Sequence, residues 1–308
     1  MIKRICLGFT LLVFLPLSAF AEIGLDNLPG NTVWYIHADL ERLRTTPAGQ
    51  DLDEWMRWEV YGEIEDELGI DLNKEINQIT AFSDTNNGSA IIIEGPLSQS
   101  TKDKIMAMVG DKESVEELEF SGNNYFHVGD EEKSGAKTDP LEPFDDTAYF
   151  SFALRDKVVI TGKEGYMQEL LENSGKVSGM DAHNGALMVL SANQSLVQAG
   201  MQVDGLIDDD DDDDWESNIV RNTEQAALLV ADDSGMLAIQ AQLISTDKKM
   251  AQGIAGIVNG LIALQSFSTD VPEEIRDLIA NTKVEVNDNA LSINMVIDPE
   301  LVVSILND

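Results

Sequence analysis

Apart from its carboxylates, the chain has few residues that could perform chemistry. It has three histidines, at positions 37, 127 and 183, and its only cysteine is Cys6. Asp39 follows His37 at the end of an apolar stretch, a spacing that could serve a base and its orienting carboxylate, or two metal ligands. The chain has no HExxH zinc motif, phosphate-binding glycine loop or GxSxG nucleophile elbow. A hydrolase using a carboxylate or a His37–Asp39 site is therefore an alternative, and we favour a function without catalysis.

A second candidate is the run of seven consecutive aspartates, 208–214. Every second carboxylate of the run could contribute to a weak Ca²⁺ or Mg²⁺ site. These metal-site candidates are Asp208, Asp210, Asp212 and Asp214. The run lacks the glycine and the distal glutamate of a selective calcium loop. Neighbouring carboxylates repel each other by roughly 0.6–0.7 kcal/mol in water, which favours an extended, hydrated loop. In that loop Asp213 or Asp214 would cap a short helix near Trp215. A docking site for a basic partner is the third interpretation of the aspartate run, beside the weak metal site and the hydrated loop.

Aromatic residues mark a third candidate, in the helix-like stretch 53–70. Its apolar positions do not keep to one face of an α-helix, because Trp55 lies away from the later aliphatic residues. Either the helix bends at Gly62, with these residues in the core, or Trp58 and Tyr61 remain exposed. In the second case Trp55, Trp58 and Tyr61 would form an interaction surface.

Three pairs of similar stretches, in the same order along the chain, predict an internal duplication. They are residues 31–43 with 184–196, 79–98 with 226–245, and 115–128 with 283–296. The first pair reads as a strand followed by a helix start, and the other two pairs read as β-hairpins with Gly, Asn or Asp at the tip. Ser98 and Ser245 would cap the helices that follow the middle pair. The alignment places His37 over Leu190 and, with a shift of register, His127 over Ile293, which favours structural roles for both histidines.

The expected fold class is α+β, with two related strand-helix-hairpin-helix-hairpin units whose mainly antiparallel sheets are covered by helices. The first unit would span residues 22–180, with an extra hairpin and helix at 146–171. The second would span 181–308, containing the aspartate run and ending in a helix that Asp298 and Pro299 open.

In 236–244 and 291–297 the polar residues Gln240, Gln242, Ser292 and Asn294 alternate with apolar ones, which predicts one buried face and one wet or lightly covered face. Residues 250–267 carry no charge. We interpret them as a soluble helix in which Gly256 and Gly260 allow close approach to the sheet.

The first residues and the charge predict the compartment and exclude some partners. Lys3 and Arg4, an apolar stretch and a small-residue site are typical of a signal peptide, 1–21, cleaved between Ala21 and Glu22. Its loss makes the formal charge of −36 two units more negative. Such a charge repels nucleic acid and anionic membranes. We expect a periplasmic or secreted protein without a resident cofactor, whose mature chain does not insert into membranes and whose partner is a protein or a small ligand.

Two terminal stretches resemble secreted bacterial α+β proteins of uncharacterised activity. The opening WYIHADLERLRTTPAGQ is similar to their HxDL-type first strand, and the closing VEVNDNALSINMVIDPELVVSIL to their final hairpin and helix. The resemblance implies the fold and transfers no function. The sequence thus predicts an exported, highly acidic binding or interaction protein, with the hydrolase and a weak divalent-cation-binding protein as alternatives.

Overall fold

The computed structural model describes residues 32–62, 65, 70–110, 115–129, 147–177, 185–196, 219, 221–266 and 273–307. They form one twelve-stranded sheet, antiparallel throughout, with helices packed on it. The α+β prediction is confirmed. The strands are β1 (Thr32–Asp39), β2 (Gln78–Asp84), β3 (Gly88–Glu94), β4 (Val115–Phe120), β5 (Asn123–Gly129), β6 (Thr147–Ser151), β7 (Lys157–Thr161), β8 (Ala186–Asn193), β9 (Thr223–Asp233), β10 (Met236–Ser245), β11 (Lys283–Asn287) and β12 (Ala290–Ile297).

The helices lie mainly between the hairpins and at the chain end. They are α1 (Leu40–Thr45), α2 (Pro47–Met56) with a π-helical turn (Arg57–Tyr61) after it, α3 (Leu72–Glu75), α4 (Gln99–Gly110), α5 (Glu164–Glu172), α6 (Lys248–Ser266), α7 (Glu273–Asn281) and α8 (Pro299–Leu306). Asp298 accepts a hydrogen bond from the Glu300 amide, so the predicted Asp–Pro start of α8 is confirmed. Ser98 Oγ likewise accepts from the Thr101 amide at the start of α4.

The helix after β10 begins differently from the prediction. Ser245 Oγ donates to the Asp247 and Asn289 carbonyl oxygens and does not cap the helix. Asp247 takes that role, because its carboxylate accepts from the amides of Lys249 and Met250. A carboxylate next to the free amides at a helix start is stabilised by the helix dipole as well as by the hydrogen bonds.

The strand order is β11-β12-β10-β9-β8-β1-β2-β3-β7-β6-β5-β4, with β1 and β8 paired at the centre. Each central strand is followed outwards by a hairpin, β2–β3 on one side and β9–β10 on the other. The β9–β10 turn has Ser234 and Gly235 at positive φ, 57° and 93°, the conformation of a tight primed turn. The duplication itself stays a prediction.

One part of the predicted correspondence is wrong. The alignment predicts that the hairpin 115–128 has the same position in the first unit as 283–296 has in the second, next to the preceding hairpin. The structure pairs β12 with β10, but it pairs β7 with β3, so the hairpin 147–161 occupies that place and β5–β4 lie further out. The sequences of these hairpins are too alike in pattern to reveal which one pairs with β3.

The two faces of the sheet carry separate cores. On one face Tyr35 and Phe82 are fully buried against α5, whose Tyr166, Met167 and Leu170 pack on them. On the other face Leu40, Leu43, Leu187, Leu237 and Ile297 belong to a second cluster, which includes residues of α1, α2 and the stretch that follows α2. Because successive side chains of a strand point to opposite faces, the central strands supply apolar residues to both.

The structure overturns the expectation about the glycines of α6 and decides between two alternatives for the neighbouring strands. Cβ atoms built on Gly253, Gly256 and Gly260 have no neighbour within 4 Å, so these glycines do not mediate close approach to the sheet. Ile254 and Ala255 make the contact with the strands instead. The polar face of β10 and β12 is the lightly covered alternative: Gln240 and Asn294 are buried, at 6% and 8% exposure, whereas Gln242 and Ser292 are half-buried. None of the helices in the described ranges is long and apolar enough to cross a membrane.

Candidate functional site

His37 and Asp39, the first candidates from sequence, take structural positions. His37 is 4% exposed, and its Nδ1 lies 2.9 Å from Thr80 Oγ1 on the neighbouring strand. Asp39 caps α1 by accepting from the Arg42 amide at 2.8 Å, and it accepts a second hydrogen bond from Gln78. Neither residue lines either of the cavities described below. The geometry therefore accounts for both side chains without a reaction.

His127 also lies in the core, far from His37 in the sheet. It is 5% exposed, and its ring stacks on Tyr149 with centroids 4.8 Å apart. Strands β2, β3, β7 and β6 lie between the strands that carry the two histidines. The structure does not bring these residues together into one site.

Burial gives His37 a measurable role in stability. It lowers the pKa of the imidazole below its usual value of 6.5, although the Asp39 and Glu94 carboxylates act in the opposite direction. The unfolded chain therefore binds more protons than the folded one, and stability falls as the pH drops through about 6.5. We expect His37→Gln to flatten the pH dependence of the free energy of unfolding between about pH 5 and 7. Urea unfolding at intervals of pH measures it, and a slope unchanged from wild type would contradict this assignment.

The predicted tryptophan surface is present in part. Trp58 is 81% exposed, and Trp55 donates its indole N–H to Asn307 Oδ1 at 3.0 Å. Tyr61, in contrast, is only 4% exposed, with its hydroxyl 3.5 Å from Asp53 Oδ1, so the prediction that it belongs to this surface is wrong. Burial, and then the Asp53 carboxylate, raise the pKa of Tyr61 to about 12.

The π-helical turn explains this division of the aromatic residues. Gly62 has helical backbone angles, φ −57° and ψ −44°, so the helix is not broken there. A π turn inserts an extra residue into the helix and shifts the faces of everything after it. The shift returns Tyr61 to the buried side near Asp53 and leaves Trp58 facing solvent. Neither of the two arrangements expected from the sequence is the observed one.

Trp55 and Trp58 line a groove between α2, the π turn and α8. The cavity has a volume of about 420 Å³, and its lining consists of Asp51, Glu54, Trp55, Trp58, Glu59, Glu300, Val303 and Asn307. The nearby Arg57 does not line it and is paired with Asp53 at 2.6 Å. We call this cavity the tryptophan groove. Its walls combine indole rings with carboxylates.

A second cavity, which is not among the sequence-based predictions, lies on the central strands. It is a trough of about 530 Å³ bordered by residues of β1, β8 and β9 and by Leu196. Two rows of directly paired residues form it: Trp34, Ala192 and Ala226 in one row, and Ile36, Leu190 and Leu228 in the other. We call this cavity the sheet trough. The paired alanines leave space there, because their side chains are much smaller than those around them.

A signal for the trough is present in the sequence. The stretches VWYI, ALMVL and AALLV are apolar at successive positions rather than alternating. Such runs indicate strands that are covered on both faces. In the described part of the structure Ile36 is nevertheless 44% exposed on a central strand. The contrast between the apolar run and this exposure marks the site.

The aspartate run 208–214 lies outside the described residues, so its weak-cation, helix-cap and docking interpretations remain predictions. Within the described ranges, no group of three or more His, Cys, Asp or Glu side chains is arranged to hold a metal ion. The predicted signal peptide, 1–21, also falls outside those ranges.

Comparisons with known proteins do not assign the chain to a family. No protein-family model matches the chain, and none of the curated proteins does. Among solved structures, crystal form IV of TP0453 is similar with a TM-score of 0.45 and 8% identity, covering 90% of this chain and 93% of that chain. Crystal form I of TP0453 has a TM-score of 0.41 and 9% identity, with coverages of 92% and 95%. A likeness of this degree does not establish a shared function.

Proposed function

We propose that the protein is an exported, non-catalytic binding protein whose sheet trough holds an apolar ligand such as an alkyl or acyl chain. The observation that carries the proposal is the exposure of Ile36, 44%, in the middle of a twelve-stranded sheet. Large apolar side chains on central strands are normally covered. A ligand that lies on Ile36 and its neighbours would supply that cover.

The lining indicates the chemistry of the ligand. The side chains of the two rows are all apolar, and none of the residues that border the trough in the described ranges is charged. Two of the lining residues carry a hydroxyl: Tyr35 is fully buried, and Ser191 already accepts a hydrogen bond from Gln225 at 2.9 Å. A charged group placed there would lose its hydration without gaining a partner. The ligand therefore needs an uncharged apolar part, and any polar head has to lie outside the trough.

The size of the trough suits such a ligand. Its volume of about 530 Å³ lies within the range of small-molecule sites, which are mostly about 300–1,000 Å³. Each ~100 Å² of apolar surface removed from water contributes about 2.5 kcal/mol to binding, before the cost of immobilising the ligand.

Filling the floor of the trough tests the proposal. We expect Ala192→Phe and Ala226→Phe each to weaken binding of the uncharged fluorescent probe N-phenyl-1-naphthylamine by about tenfold, because a phenyl ring occupies the space of the probe. The measurement is a fluorescence titration of the purified full chain.

Ala263→Phe provides the matched control, because Ala263 is an exposed residue of α6 that does not line the trough. It should leave the probe affinity unchanged. Wild-type affinity in both trough variants, with the variants folded by circular dichroism, would refute the proposed site. Equal losses in all three variants would indicate binding elsewhere and would refute it as well.

A further inference from the structure

We propose that the tryptophan groove is a docking surface for a Lys- or Arg-rich segment of a partner protein. This surface is independent of the sheet trough, since the two cavities share no lining residue. It is built from α2, the π turn and α8. The inference depends on three features: the charge of the walls, the exposure of Trp58 and the shape of the cavity.

Charge is the first feature. Four of the residues that line the groove are carboxylates, namely Asp51, Glu54, Glu59 and Glu300, and all four are exposed. No Lys or Arg of the described part of the chain contributes to the lining, and the guanidinium of Arg57, on the same helical turn, is held by Asp53 at 2.6 Å. The walls therefore present negative charge that is not neutralised by a basic residue of the lining. A positively charged segment is complementary to them.

The indole rings are the second feature. Trp58 is 81% exposed, which for the largest side chain type in the chain leaves a broad apolar face in water. Trp55 is fixed beside it by the hydrogen bond to Asn307. Indole faces attract Lys and Arg cations, and the aliphatic stems of those side chains pack on the same rings. Tryptophan is also among the residues that most often dominate binding at protein interfaces.

The third feature is the shape of the cavity, in which the charges are spread over two elements. Glu300 belongs to α8, whereas the other three carboxylates come from α2 and the π turn. Charges spread along a groove of about 420 Å³ suit several cations on one extended segment better than one metal ion. At the end of α8, Ile305 and Leu306 are half-exposed and add apolar surface to that side of the molecule.

Fluorescence anisotropy with a labelled peptide of alternating Lys, Arg and Leu residues tests the proposal on the full chain. We expect the triple variant Glu54→Gln, Glu59→Gln, Glu300→Gln to weaken binding of the peptide by about tenfold, since each lost charge pair contributes a factor of about two to three. Trp58→Ala should weaken it by a similar factor through loss of the indole face. Added salt should weaken wild-type binding, because screening shortens the attraction.

The control removes the same net charge elsewhere. Glu116, Glu117 and Glu119 are exposed on β4, and their triple replacement by Gln should leave peptide affinity within about twofold of wild type, because those charges act only at long range. A loss in this control equal to that of the groove variant would overturn the proposal in favour of non-specific attraction. Loss of binding on Asp→Asn replacement of 208–212, with no effect of Trp58→Ala, would overturn it in favour of the aspartate run. Spermine displacing the peptide at equal charge concentration would also overturn it, since a small polycation would then suffice.

Failure here is distinguishable from failure of the proposed apolar-ligand function. The peptide experiment uses no trough variant, and the naphthylamine probe carries no charge that the groove could recognise. A chain that binds the probe but not the peptide keeps the first proposal and loses this one.

Discussion

Replacement of Phe82 by alanine should lower the free energy of unfolding by about 3–5 kcal/mol, the cost of removing a large aromatic side chain from a packed core. Phe82 is fully buried on β2. Its ring lies 6.3 Å from that of Tyr35 and 6.3 Å from that of Tyr166, the latter edge-on. The truncation therefore leaves a cavity between the central strands and α5. Urea unfolding followed by circular dichroism measures the loss.

Trp58→Ala is the matched control, because it truncates a larger aromatic residue at 81% exposure. We expect its free energy of unfolding to stay within about 0.5 kcal/mol of wild type. That result also shows that any loss of peptide binding in Trp58→Ala is not a loss of folding. Equal destabilisation by the two substitutions would mean that Trp58 is packed in solution, and it would contradict the exposed groove.

Gly95→Ala should be nearly as destabilising, by about 3 kcal/mol, through overlap rather than a cavity. A Cβ atom on Gly95 would overlap the carbonyl oxygen of Glu75 and would stand 2.8 Å from the Cα of Ile76. This close approach comes from the end of β3, where the Asn77 amide donates to the Glu94 oxygen at 2.7 Å. Since the obstacle is backbone, no side-chain rotation relieves it.

A glycine without neighbours should respond in the opposite direction. Gly256 lies inside α6, and a Cβ atom there meets nothing within 4 Å. Gly256→Ala should raise the free energy of unfolding by about 0.5–1 kcal/mol, because alanine loses less backbone freedom in a helix. Together, Gly95→Ala and Gly256→Ala distinguish the effect of a close backbone approach on stability from the effect of helix propensity. Destabilisation by Gly256→Ala would place a neighbour against this face of α6.

Local features of the fold could be predicted because neighbouring residues determine them. The hairpin tips at Gly88 and Gly235 and the start of α8 at Asp298 depend on turn and cap chemistry within a few residues. Strand order depends on contacts between residues far apart in the chain, and several hairpins share the same alternating pattern. The pairing of β7 with β3 was missed for that reason.

The candidate sites were only partly predictable for a related reason. Exposure of Trp58 is one of the two alternatives that the broken helical periodicity allows, but burial of Tyr61 requires a π turn, which leaves no clear mark in residue types. The sheet trough requires Ala192 to lie directly opposite Ala226 on a neighbouring strand. Two alanines become a cavity floor only when the register brings them together.

The pairing of β1 with β8 has a consequence for how the chain can be cut. The outermost strands of the sheet are charged: β4 carries Glu116, Glu117 and Glu119, and β11 carries Lys283 and Glu285. Charged edges discourage further strands from adding to a sheet. The two strands at the centre lack this protection, since β8 has no charged residue and β1 has none before His37. A fragment ending near residue 180 would therefore expose an apolar, unpaired edge strand and would associate with other fragments through it. In the intact chain the two apolar strands pair with each other.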